Sequence, residues 1–456
     1  MAYNISTEAQ EDLRQLLQAW AERHAKAAHL AEVEEVCQEV KVIAGQCVME
    51  TLLHRLTGTA TYRGTKLPCS CGKEARFVAY RKRWVKSVCG ECQVKRSYYH
   101  CRSCGAGCSP WDKEQGLTDR MWSASLKALV CQVMGRLTYA EGVSMLSELR
   151  VAHLEESSAE EIVAEVGGRL RAAEARKVEA LERAARQELS LRLLCESQDP
   201  APVEHFATRE VTGKRLYVGL DAATAHIGGG WRNVQVGVVF AVSADAKGRD
   251  ALAERSYLAA QMDQETFGKK LRARAEEWNI RRYSESVTLG DGAPSNWNLA
   301  SLHFPDAIHI LDFYHASEHV WSLSRILYRQ DDPRDKARGD RWVQERLDSL
   351  KTHGPTPLLR ALKRRKPSTA GQREALRRES GYFQNNRHRM NYPDYLKAGM
   401  MIGSGPVEAA CKVVVGQRMK QAGMRWSVSG ADSMLAVRTT VLNRDTTLLQ
   451  QMSKAA

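Results

Sequence analysis

Between residues 5 and 57, apolar residues recur every three or four positions (QEDLRQLLQAWAERHAKAAHLAEVEEVCQEVKVIAGQCVMETLLHRL), a period that predicts helices. Gly58 and the TATYRGTKLP segment end them, and a cysteine-rich stretch follows to Asp112. From Thr118 to Leu194 the helical period returns. Within it, LTYAEGVSMLSELRVAHLEESSAEEIVAEVGGRL reads as two helices around a break at residues 151–153, the second beginning near Ser157, a helix-turn-helix candidate. Glu155, Glu156, Glu160 and Glu161 suit a DNA groove badly. Residues 171–192 mix both charge signs, as in an exposed or self-associating helix. Two prolines mark QDPAPVEH, residues 198–205, as a linker.

Beyond the linker the period becomes that of strands. RLYVGLDAA, from Arg215, is a strand ending near Asp221; GGGW turns the chain into NVQVGVVFAV, and RSYLAAQ supplies a third strand. Residues 262–278 have helical spacing, SVTLGDGA is a strand carrying Asp291 at its end, a short helix starts at Pro294, and IHILDFYH is a fifth strand running into a helix. Arg-rich helical pattern continues to Tyr382, with KRRKP at residues 363–367. Three hairpin-connected strands followed by helix–strand–helix–strand–helix is the ribonuclease H-like order. In that order the first strand is central and the fourth lies beside it. Asp221 and Asp291 therefore become neighbours although 291 − 221 = 70 positions separate them. Glu408, in the first turn of a helix opened by Gly403-Ser404-Gly405-Pro406, would complete a site for two divalent cations. Hard carboxylate ligands suit Mg²⁺ or Mn²⁺.

Charge adds a partner. Across 456 residues, Lys plus Arg number 67 against 54 Asp plus Glu, a net charge of +13 that favours a polyanion. The chain lacks the apolar run of about 20 residues that spans a bilayer, so a membrane is not expected as partner. Seven of the twelve Cys crowd between Cys69 and Cys108, which points to metal binding in a reducing compartment, the cytoplasm. Cys101-Arg-Ser-Cys104-Gly105 is a metal knuckle, and tetrahedral coordination needs a second pair. Cys89-Gly-Glu-Cys92 has the conventional spacing, whereas the separation typical of a ribbon favours Cys69-Ser-Cys71, and the choice stays open. Cations and aromatics interleave there: Arg76, Tyr80, Arg81, Lys82, Arg83, Trp84, Lys86, Lys95, Arg96, Tyr98 and Tyr99 form a candidate surface for gripping a nucleic-acid backbone, with Arg81, Lys82 and Arg83 at its centre. Cys108 reads as a spare thiol, and Cys37, Cys47, Cys131, Cys195 and Cys411 as packing residues.

The expected fold class is thus an α/β ribonuclease H-like core on a mixed five-stranded sheet with a helical insertion. Its segments are 1–58, helical; 59–112, a zinc ribbon; 113–205, helical with the helix-turn-helix candidate and linker; 206–330, first part of the core; 331–400, the insertion; and 401–456, the final part of the core.

Four motifs carry a resemblance: YFQNNRHRMNYPDYLKAGMMIGSGPVEAACK (residues 382–412), RMKQAGMRWS (418–427), LGDGAPSNWN (289–298) and ILDFYHASEH (310–319). Together with the knuckle and the GAGCSPWDKEQGL that follows, they resemble the Kra-type insertion-sequence transposases of bacteria, over about residues 67–442. The resemblance implies a DDE transposase with a ribonuclease H-like core and the triad Asp221, Asp291 and Glu408, holding two Mg²⁺ or Mn²⁺ ions. It implies a structural Zn²⁺ on Cys69, Cys71, Cys101 and Cys104, leaving Cys89 and Cys92 as extras. Asp312 and His315 match an Asp-x-x-His element and are read as organising the site; Arg418, Lys420, Arg425 and Trp426 are read as gripping DNA beside it. One departure is Ala222, where the family usually has Gly. The implied activity is hydrolysis of a phosphodiester at a transposon end, then attack of the freed 3′-hydroxyl on target DNA. The implied partner is double-stranded DNA in a bacterial cytoplasm, at the nucleoid, with a homodimer or higher oligomer joining two ends. Two rivals stand beside it: a zinc-dependent DNA-binding protein with a relic core, and a structure-specific nuclease without strand transfer.

Overall fold

The computed structural model describes residues 6–24, 26, 29–117, 120–194, 209–211 and 213–454. The linker read at 198–205, Cys195, and the start of the second helical stretch at Thr118 lie outside them. The chain divides into two compact units, one of residues 1–130, 139–159 and 453–456, the other of residues 131–138 and 160–452.

In the first unit, α1 (Thr7–His24) and α2 (Leu30–Leu56) bury no residue completely. An antiparallel sheet of β1 (Lys66–Pro68), β2 (Glu74–Ser87), β3 (Gly90–His100) and β4 (Gly107–Cys108) follows, in that spatial order. α3 (Pro110–Glu114), α4 (Ala124–Met134) and α5 (Tyr139–Glu148) come next. Alternation along β2 and β3 buries Val85 and Val94 with Trp111 and Met121, while Ala75, Tyr99 and Cys101 form a second cluster backed by Leu67, Cys69 and Phe77. The helix-turn-helix candidate resolves into α5 and one 39-residue helix, α6 (Glu156–Leu194), which from Glu160 onward belongs to the second unit. The break between them runs from 149 to 155, wider than the sequence suggests, because Val151 and Ala152 N–H groups turn back to the Leu146 carbonyl, at 3.0 and 3.3 Å.

The second unit is built on β5 (Arg215–Ile227), β6 (Gly230–Ala244), β7 (Asp250–Ala260), α7 (Gln264–Glu277), β8 (Glu285–Gly290), α8 (Pro294–His303), β9 (Ile308–Leu311) and α9 (Phe313–Leu327). Four helices then precede the last motif: α10 (Pro333–His353), α11 (Pro355–Arg364), α12 (Ala370–Asn386) and α13 (Tyr392–Lys397). α14 (Gly405–Cys411), a π turn at Lys412–Gly416, α15 (Gln417–Met419), α16 (Val428–Leu442) and α17 (Thr446–Ser453) close it. The five strands form one mixed sheet of order β7-β6-β5-β8-β9. β5, β6 and β7 are antiparallel, whereas β5, β8 and β9 run parallel.

The strand expected to end near Asp221 continues to Ile227, paired with β6 until Gly228 and Gly229 turn it at φ of 61° and 83°. Its parallel pairing with β8 does stop beside Asp221, at Leu220↔Gly290. At the opposite end, the buried Arg215 guanidinium donates to both Asp250 carboxylate oxygens at 3.1 Å and also bonds Glu285, tying β5 to β7 and β8. Because a one-residue slip would break this fork, it pins the register that aligns Asp221 with Asp291.

Helix α14 approaches β5 because Gly219 lacks a side chain: a Cβ there would run into the Val407 and Val238 methyl groups. Val407 precedes Glu408, and Gly219 lies two residues before Asp221, so this contact sets the approach of two acids. Gly219→Ala is expected to destabilise the protein by about 1–3 kcal/mol through overpacking, read as a lowered thermal midpoint.

Candidate metal centres

Four cysteine sulfurs meet in the first unit. The turn between β1 and β2 presents Cys69 and Cys71 and closes with Gly72 at φ 79°; the turn between β3 and β4 presents Cys101 and Cys104 and closes with Gly105 at φ 74°. The Cys69 N–H donates to the Lys73 carbonyl (2.7 Å) and the Cys101 N–H to the Ala106 carbonyl (2.8 Å), so each loop is a bonded knuckle. Cys69 Sγ lies 3.6 Å from Cys104 Sγ, and Cys71 Sγ 3.7 Å from Cys101 Sγ. A tetrahedron with metal–sulfur bonds of about 2.3 Å has edges of roughly 3.8 Å, so the spacing fits a structural metal such as zinc. Charge is shared unequally: the Cys104 amide holds the Cys101 thiol down at about 6. Against a bond from the Ala106 amide, the neighbouring sulfurs push Cys104 up to about 12.

Geometry decides between the two candidate pairs. Cys92 lies 101 − 92 = 9 residues from Cys101 along β3, about 30 Å away, and its buried thiol is pushed up. Cys89 and Cys92 belong to the far end of the hairpin.

The ribbon cations do not share one surface. Lys82 pairs with Lys95 across β2 and β3 on one face, while Arg81 and the half-buried Arg83 occupy the other. Lys95 Nζ sits 5.7 Å from the Tyr80 ring centre and the Arg81 guanidinium 3.6 Å from that of Tyr98. Arg96 and Tyr99 are corrections to the expected surface. Both are buried, Arg96 forked onto Asp112 at 2.9 and 3.1 Å, and Tyr99 donating to the Gly64 carbonyl.

In the second unit the acids come from three elements. Asp291 follows the last residue of β8; its Oδ1 accepts from the Ala293 N–H and Asn296 Nδ2, both at 3.0 Å. Asp221 Oδ1 accepts from the Ala222 N–H at 2.7 Å, and its Oδ2 receives the Cys411 thiol at 3.4 Å. Burial pushes the Asp221 carboxyl up, and the Asp291 charge adds to it. Burial likewise pushes the Cys411 thiol up, reinforced by Asp221, Glu408 and Asp291. Cys411, read from sequence as packing, therefore sits among the acids. None of Asp221, Asp291 and Glu408 is in an ion pair among the described residues.

A tighter group lies alongside. Ligand atoms of Asp312, His315 and Glu408 all fall within 4.8 Å of one another, a circle that excludes Asp221 and Asp291. Asp312, fully buried, caps α9 by accepting from the Tyr314 and His315 N–H groups at 3.0 and 3.4 Å. It also accepts from Ser404 N–H (3.0 Å) and Ser404 Oγ (2.6 Å), while Ser404 Oγ lies 3.3 Å from Glu408 Oε1. Ser404 is the N-cap of α14. One carboxylate thus joins the starts of α9 and α14, and His315 Nε2 stands 3.9 Å from it. The Gly403-Ser404-Gly405 entry to a helix was legible in the sequence, but not the bond from Ser404 to Asp312.

The last predicted group divides. Lys420 and Arg425 are exposed; the half-buried Trp426 indole donates to the Met419 carbonyl at 3.2 Å. Arg418 is a correction: it is 0 % exposed, donates to the Met134 carbonyl at 2.8 Å and stacks 5.1 Å from the Trp426 ring centre, a packing position with no DNA face. Sequence reasoning passed over Trp231, 67 % exposed at the start of β6, with Lys420 Nζ 5.8 Å from its ring centre.

Comparison with protein-family models finds none that matches, and comparison with curated proteins finds no match. Among the described residues no helix is long and apolar enough to cross a membrane.

Two outcomes are expected. The purified protein should carry about one zinc per chain by elemental analysis, and Cys101→Ser should release it and lower the thermal midpoint. Asp312→Ala should cost about 2–3 kcal/mol by leaving buried donors unpaired, and Ser404→Ala about 1 kcal/mol, both read by chemical denaturation.

Proposed function

We propose that the second unit is a ribonuclease H-like core and that the protein is a DDE-type DNA strand-transfer enzyme, a transposase using Asp221, Asp291 and Glu408. The observation that carries this reading is the sheet. Parallel pairing of β5 with β8 ends at Leu220↔Gly290, and Asp221 and Asp291 are the next residue on each strand. Glu408 stands on α14, whose Cys411 thiol feels the charges of Asp221, Glu408 and Asp291 together, and the Gly219–Val407 contact and the Asp312–Ser404 bonds hold that helix.

The donor set fits divalent cations. Three carboxylates without a paired cation, one of them resisting ionisation through burial, form a negative cluster of hard oxygens. Asp221, Asp291 and Glu408 would hold Mg²⁺ or Mn²⁺, which when bound supplies charge neutralisation at the scissile phosphate and a more acidic attacking hydroxyl or water. The chain's own residues do the rest. Asp312 fixes the start of α14, so Glu408 enters the site at a set angle. Cys411 donates to one oxygen of Asp221 and the Ala222 N–H to the other, which orients the carboxylate. Positioning of this kind accounts for much of the rate in phosphoryl transfer.

A DNA surface fits the same face. The exposed Trp231, Lys420 and Arg425 lie where β5 ends, 227 − 221 = 6 residues beyond Asp221, about 20 Å along the strand. A structural Zn²⁺ on Cys69, Cys71, Cys101 and Cys104 would stiffen the ribbon that carries Arg81 and Lys82.

Incubating the protein and Mg²⁺ with DNA bearing the element's own ends, then sizing the products, tests the proposal. Wild type should give a nick at the end and joined products; Asp291→Ala or Glu408→Ala should lose both, by at least about a thousandfold, while still retarding the DNA. Binding without cleavage by wild type would support a relic core, and nicking without joining a plain nuclease. Unchanged nicking by Asp291→Ala would refute the assignment.

A further inference from the structure

Tyr382 opens the longest of the sequence motifs, and nothing in the metal-ligand scheme uses it. It stands on α12, in the helical stretch between α9 and α14. Its ring lies flat on His319, centroids 3.6 Å apart and planes 20° from parallel. His319 Nδ1 is 2.6 Å from Glu379 Oε2, and Glu379 is 1 % exposed. Against the pull of its own burial, bonds to His319 and Arg378 hold Glu379 below the usual carboxylate range. The stack is therefore anchored from behind.

In front it meets the acid site. Gly292 follows Asp291 directly, and a Cβ on Gly292 would run into the Tyr382 ring and hydroxyl. The missing side chain is what admits the tyrosine beside Asp291. The hydroxyl is shielded from solvent and has no hydrogen-bond partner among the described residues. Burial pushes its pKa up, and Asp291 and Asp312 push it further, so it keeps its proton.

An anchored, protonated and unpartnered donor at the edge of a carboxylate cluster is costly to fold. An incoming anion would satisfy it, and the substrate that brings one here is a phosphodiester. We propose that the Tyr382 hydroxyl donates to a non-bridging oxygen of the phosphodiester held at Asp221, Asp291 and Glu408, as a catalytic residue contributed by the helical stretch. This rests on the function proposed above. The bond transfers no proton; the hydroxyl keeps it and stabilises charge on the phosphoryl group.

Tyr382→Phe separates this role from packing, because the ring and its stack on His319 are retained. Removing an unpaired buried hydroxyl should leave the thermal midpoint unchanged or raised. The nicking rate at saturating DNA and Mg²⁺ should fall roughly 10- to 100-fold with little change in DNA affinity, the loss expected for one bond to a charged group. Gly292→Ala, which displaces the ring instead, should show a similar fall. If Tyr382→Phe nicks at the wild-type rate while Asp291→Ala is inactive, the tyrosine is a packing residue and the inference fails with the metal-site reading intact. If Asp291→Ala nicks like wild type, the metal-site reading fails first.

Discussion

Asp312 carries the geometry of the second unit's acid site. A fully buried carboxylate must find donors, and the four it finds belong to two different helix starts: the amides of Tyr314 and His315 on α9, and the amide and hydroxyl of Ser404 at α14. These starts are 404 − 312 = 92 residues apart in sequence. Beyond the four helices inserted between them, this anchor and the Gly219–Val407 contact together hold the start of α14. Because Asp312 follows β9, and its own N–H bonds the Gly290 carbonyl at 2.9 Å, the anchor is itself tied to the strand that delivers Asp291. The sheet, the cap and the last acid form one bonded chain.

Two close approaches complete the arrangement, each relying on an absent side chain. Gly219 lets α14 lie against β5, and Gly292 lets the Tyr382 ring come up beside Asp291. Both glycines are immediate or next-nearest neighbours of an acid. Packing thus serves the site: the backbone positions closest to the carboxylates are kept bare so that a helix from late in the chain can reach them.

The strands were readable because β-branched and aromatic runs such as RLYVGL and VQVGVVFAV stand out against helical spacing, and Gly228 to Gly230 mark the hairpin turn. Where β5 would stop was less readable. The pairing that continues past Asp221 belongs to the hairpin with β6, whereas the pairing that stops there belongs to β8, and a single strand's pattern does not distinguish its two partners. Arg418 looked like one more cation in RMKQAGMR, and only tertiary packing shows that its guanidinium turns inward to the Met134 carbonyl. Cys411 is the converse: a residue of packing type placed among charges, since its role depends on which strand α14 lies against. Spacing alone favours Cys89 and Cys92, but the hairpin length along β3 sets them at its far end, away from Cys101.

The account rests on oxygens of Asp221, Asp291 and Glu408 meeting around paired cations, although the tightest group within the protein is Asp312, His315 and Glu408. Anomalous scattering from crystals of the protein soaked with Mn²⁺ and a short end-bearing duplex measures this directly. The account predicts a pair of manganese peaks about 3.5–4 Å apart within coordination reach of Asp221, Asp291 and Glu408. A single peak on Asp312, His315 and Glu408, with Asp221 and Asp291 left uncoordinated, would contradict it.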